Sequence, residues 1–121
     1  MFDTRIKIVS SADLLAYAQA HPELPIVAGY FDPMWAPHAV RLKELAGPSK
    51  LLVLVEPKAN ALLSDRARAE VVASFGVVEL VTVVTDDAAR EQFGARVIDE
   101  RKSDEARYQS LADHVRKRNN V

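Results

Sequence analysis

The chain has no cysteine. Disulfides, thiolate nucleophiles and cysteine-held zinc are therefore excluded. It also lacks a long apolar run. The longest, Leu51–Val55, is far too short to cross a bilayer. The first residues, Met-Phe-Asp-Thr-Arg, do not have the basic-then-apolar layout of a signal peptide. These features read as a soluble protein of the cytoplasm. Neither sign of charge is in excess: 16 Lys and Arg stand against 17 Asp and Glu. A general nucleic-acid binder needs a basic face to neutralise phosphates, and a polybasic membrane anchor needs the same. Neither nucleic acid nor membrane is an expected partner. The three histidines are scattered without metal-ligand spacing, so no metal held by protein ligands alone is expected. No Gly-x-Gly-x-x-Gly, Walker A or Gly-x-Ser-x-Gly pattern occurs. Dinucleotide oxidoreductase, P-loop and serine-hydrolase readings fall with them.

What is present is apolar material. Hydrophobic residues make up 49% of 121 residues, enough for one core without staples. No repeat, linker or low-complexity segment divides the chain, which reads as one domain over 1–121. Ser10-Ser11 precede Ala12, Leu14, Leu15 and Ala18 at helical spacing, and His21-Pro22 ends that helix. Pro25–Phe31 reads as a buried strand that stops at Asp32-Pro33. A helix over 37–46 has Pro37 at its first position and closes at Gly47-Pro48. Lys50–Val55 suits an interior parallel strand. Ser64 caps a helix over 65–75, and the β-branched stretch 79–85 is a third strand. A short helix from Asp86 ends near Gly94, and 95–99 is a fourth strand. Ser103 is expected to cap the last helix, with Asp104 and Glu105 in its first turn and Arg116, Lys117 and Arg118 in its last. Arg5–Val9 alternates as an extra edge strand would. His21 reads as a helix-end residue and His114 as a solvated one.

Strands alternating with helices predict an α/β, Rossmann-like three-layer domain. Its parallel sheet has about four or five strands, with helices on both faces. Ligands in such sheets bind outside the carboxyl ends of the strands, at the topological switch point. The end of the first buried strand is the first place to look for chemistry.

That place reads Gly29-Tyr30-Phe31-Asp32-Pro33-Met34-Trp35-Ala36-Pro37-His38. It resembles the Gly-x-Phe-Asp-x-x-His-x-Gly-His signature of the nucleotidyltransferase superfamily. That superfamily includes cytidylyltransferases, pantetheine-phosphate adenylyltransferase and the sugar-nucleotide heptose enzymes. Gly29, Phe31, Asp32 and His38 match in register. Arg68-Ala69-Glu70-Val71-Val72 followed by Val77–Val81 is similar to the family's arginine-bearing helix and its Val-Asp-x-Val strand, with Glu79 for the aspartate. The resemblance covers roughly residues 25 to 85 by alignment by eye. It implies strand order 3-2-1-4, with the second strand beside the first and the fourth on the first strand's other side.

The resemblance implies attack on the α-phosphate of a nucleoside triphosphate, CTP or ATP, with magnesium and release of pyrophosphate. Such sites work by positioning and by donors aimed at the transferring group. His38 is the catalytic candidate. Gly29, Tyr30, Phe31, Asp32, Trp35, Arg41 and Arg68 are the nucleotide-binding candidates. The departures are Trp35 for the first histidine, Pro37 for the glycine, and no recognisable C-terminal Ser/Thr-rich phosphate motif. Trp35 offers one indole donor and Pro37 none. Losing one transition-state donor commonly costs about 10²–10³ in rate.

The residues also have plainer readings. His38 is a phosphate ligand or a polar residue at a helix start. Asp32 is a site residue or a turn former before Pro33. Trp35 is an aromatic plug in a vacated phosphate pocket or a base-stacking platform. Gly29 allows close backbone approach in either case. Arg68 binds phosphate or pairs with Asp65. Two functions follow: a degenerate, non-catalytic or weakly active relative that binds a nucleotide or acts as an interaction module, and an active CMP- or AMP-transferring enzyme. A homodimer is expected, with Leu111 and Val115 as added apolar surface.

Overall fold

The two continuous apolar runs become the two central strands. In the computed structural model, which describes residues 3–119 without the side chains at 108, 111, 118 and 119, β1 spans Ile26–Gly29 and β2 spans Leu51–Val55. Every residue of both is buried. Strands β3 (Val78–Val83) and β4 (Val97–Asp99) complete a sheet of order β3-β2-β1-β4. All pairings are parallel, with Ile26 opposite both Leu52 and Val97. This is the order the resemblance implies.

Successive strand residues point to opposite faces, and the core divides accordingly. Val27, Leu51, Val53 and Val55 pack with Leu42 and Ala46 of α2 (Ala36–Ala46) and with Ala69, Val72 and Ala73 of α3 (Asp65–Ala73). Ile26, Ala28, Leu52 and Leu54 pack with Leu14 and Ala18 of α1 (Ser11–Ala20), with Phe93, and with Ala89 of α4 (Asp87–Glu91). The result is a three-layer α/β, Rossmann-like domain. The chain steps outward through α2 and α3 on one face. It then returns through α4 on the other to place β4 beyond β1. The switch point therefore lies between the ends of β1 and β4.

Local chemistry sets most boundaries. Ser10, Ser64 and Asp86 cap α1, α3 and α4, each accepting from a backbone N–H three residues on. Arg96 donates to the carbonyls of Ala18, His21 and Leu24, fastening the end of α1. His21 stacks on Tyr17 at that end, and His114 is exposed.

Four expectations need correction. Arg5–Val9 is not a strand: Asp3 accepts from the Arg5 N–H and starts a 3₁₀ turn over Thr4–Lys7, leaving only an isolated bridge from Ile8 to Val81. Helix α2 begins at Ala36, so Pro37 takes its second position. The fourth strand loses its start to a 3₁₀ turn at Gly94–Arg96. The last helix, α5 (Arg101–Asn119), begins ahead of Ser103 because Asp99 Oδ1 accepts from the Arg101 N–H at 3.0 Å. That earlier start carries Asp104 in against β1. Among the described residues, no helix is long and apolar enough to cross a membrane.

Candidate functional site

The last residue of β1, Gly29, has no side chain that could lift the backbone off its neighbours. A Cβ on Gly29 would overlap Asp104 Oδ2 and come within 2.9 Å of the Phe31 ring. Glycine is required here by close approach. Beyond it the chain turns sharply. Phe31 has φ +50°, a left-handed conformation that costs a bulky residue of order 1–3 kcal/mol, and its ring is buried. A cis Asp32–Pro33 peptide follows, and then the first turn of α2.

Trp35 precedes that helix and caps it without a side-chain bond. The bond comes from the other direction. His38 Nδ1, in the first turn, accepts from the Trp35 backbone N–H at 3.1 Å. A backbone N–H can only donate, so this contact assigns the ring proton to Nε2. Nε2 lies 2.9 Å from Asp104 Oδ1, and both side chains are buried. The other oxygen, Asp104 Oδ2, accepts from the Tyr30 N–H at 2.7 Å. Arg107 lies 3.3 Å from Oδ1. One carboxylate from α5 thus takes both the imidazole donor and the first free amide beyond β1.

Asp32 looks the other way. Its oxygens accept from the N–H groups of Leu62 and Leu63, each at 2.8 Å, and Lys58 Nζ lies 3.2 Å away. Burial opposes its charge, but these donors outweigh that and hold its carboxyl below the ordinary value. Asp32 therefore organises the loop after β2.

A cleft of about 180 Å³ lies above these groups, lined by Tyr30, Asp32, Pro33, His38, Lys58, Asp104, Glu105 and Gln109. Small-molecule sites usually start at about 300 Å³. Its lining holds three carboxylates against one ammonium. Such a lining repels a triphosphate.

Of the residues singled out in the sequence, Tyr30, Asp32 and His38 line the cleft, with Gly29 and Phe31 directly behind. Trp35 is not part of the lining; its indole N–H is buried without a partner among the described residues. Arg41 points to Glu100 and to Glu44, 3.7 Å away. Arg68 is fully buried. Its Nη1 donates to the carbonyls of Tyr30 and Glu56 at 2.9 and 2.8 Å, and its Nη2 pairs with Asp65. The pairing with Asp65 is the plainer of its two sequence readings. Sequence reasoning took Asp104 only as a charge in a helix's first turn and missed Lys58. The available signal was topological: strand order 3-2-1-4 puts the start of the last helix beside the end of the first strand. Among the described residues, no group of three or more acidic or histidine side chains is placed to hold a metal ion.

No protein-family model matches the chain, and no curated protein matches it.

Proposed function

We propose that this chain is a degenerate, non-catalytic nucleotidyltransferase-like protein that serves as an interaction or regulatory module. One observation carries the reading: Asp104 holds His38 Nε2 and the Tyr30 N–H, the two donors that a phosphate at this strand end would need. An imidazole with both nitrogens engaged cannot donate to a transferring phosphoryl group. The small acidic cleft supports the same reading and favours a module over a nucleotide carrier. An active enzyme transferring CMP or AMP is the outcome that would replace it.

Calorimetric titration with CTP and ATP plus magnesium should give no saturable heat with the wild-type protein. The double change Trp35→His with Pro37→Gly should not improve this, because Asp104 still holds the donors. Saturable binding by wild type, or pyrophosphate release with any phosphorylated acceptor, overturns the proposal. The homodimer is a separate proposal. Val115 is exposed, and the Leu111 side chain lies outside the described residues. Light scattering at high micromolar concentration should give twice the monomer mass of 13.4 kDa; a monomeric mass rejects the dimer.

A further inference from the structure

We infer that α5 is a detachable strap over the end of β1, and that the Asp104 carboxylate is its latch. The inference extends the functional reading through the same contact, but it concerns how that contact is regulated.

Asp104 is the only buried side chain among those described in α5. Arg101, Arg107 and Ala112 are half-buried, and Ser110, Asp113, His114, Val115, Arg116 and Lys117 are exposed. The strand that α5 packs on is β1. The helix therefore has little apolar surface in its described part to hold it down. Among its described side chains, the attachment is polar and centred on one carboxylate, supported by the Arg41–Glu100 ion pair just ahead of it.

The latch requires a carboxylate. Tyr30 N–H and His38 Nε2–H are both donors, and each takes a different oxygen. The tautomer cannot turn over, because the Trp35 N–H fixes Nδ1 as an acceptor. An amide at position 104 has one acceptor, so one of the two donors must go unpaired. Gly29 sets the depth of the latch, because any side chain there displaces Oδ2. Elements used in switching are drawn from the low-stability parts of a fold, and polar, locally held helices are such parts. An open strap would bare the two donors that Asp104 now holds.

Amide hydrogen exchange tests this on the full chain. In Asp104→Ala, exchange at residues 104–107 should rise by about 100-fold or more, the scale for losing two charge-assisted hydrogen bonds. Exchange in β1, β2 and β3 should stay unchanged. Asp104→Asn should fall between wild type and Asp104→Ala. Gly29→Ala keeps the carboxylate but wedges it out, and should reproduce the α5 effect. Equal acceleration in the strands and α5 would overturn the inference, since α5 would then belong to the global cooperative unit. Unchanged exchange at 104–107 in both Asp104→Ala and Gly29→Ala would overturn it as well. Nucleotide titration is independent of these readouts, so failure of the functional reading and failure of the latch are distinguishable.

Discussion

Arg68→Ala is expected to destabilise the fold by about 3–5 kcal/mol, the range for removing one partner of a buried charged network. The side chain is fully buried and spans three elements. Its Nη1 holds the Tyr30 carbonyl just past β1 and the Glu56 carbonyl just past β2. Without it, two carbonyls lose a charged donor, each at a cost of roughly 1–3 kcal/mol, and a cavity forms above α3. Arg68→Met separates the two effects, because it refills the volume and restores no donor. Urea unfolding should place Arg68→Met between Arg68→Ala and wild type, closer to Arg68→Ala. Arg68→Lys should also fall short, since one ammonium cannot reproduce the guanidinium fork. A loss below about 1 kcal/mol in Arg68→Ala would show that the carbonyls find other partners.

Asp32→Ala should cost about 2–4 kcal/mol at neutral pH, because a buried carboxylate that accepts from two part-buried N–H groups and from Lys58 is removed. The loss should be local first, with faster exchange at Leu62 and Leu63. The pH dependence has a definite sign. The carboxyl is held below its ordinary value in the folded state, so the unfolded chain takes up a proton first. Its contribution is full above the ordinary value of about 4 and is lost as pH falls through the lower folded value. The stability gap between wild type and Asp32→Ala should therefore be widest near neutrality and narrow on acidification below about pH 4. A gap that is constant down to pH 2.5 would mean that Asp32 carries no charge-dependent stability.

These two residues show which contacts could be read along the chain and which could not. Asp32 was legible as a residue at the strand end, where Asp-Pro makes a turn. Its partners Leu62 and Leu63 are thirty residues away, and nothing local specifies them. Arg68 was legible as an arginine on a helix with Asp65 at i−3. That it reaches the carbonyls past two strands depends on how α3 lies across the sheet. Trp35 was legible as a departure from the motif, yet the site is closed by Asp104 and the indole lies outside the cleft lining.

The sequence by itself determined the architecture. Continuous apolar runs at 26–29 and 51–55 suit interior parallel strands, and Ser10 and Ser64 start helices through bonds three residues long. These are local or periodic effects, so they are written in consecutive residues. Tertiary structure alone decided the state of the site. The partners of Gly29, Tyr30 and His38 lie on α5, with Tyr30 and Asp104 separated by 74 residues. The start of α5 lies ahead of Ser103, where Asp99 accepts from the Arg101 N–H. A hydrogen bond between groups so far apart in the chain depends on strand order, helix start and the bare backbone at Gly29 together, and no spacing within the sequence encodes that combination.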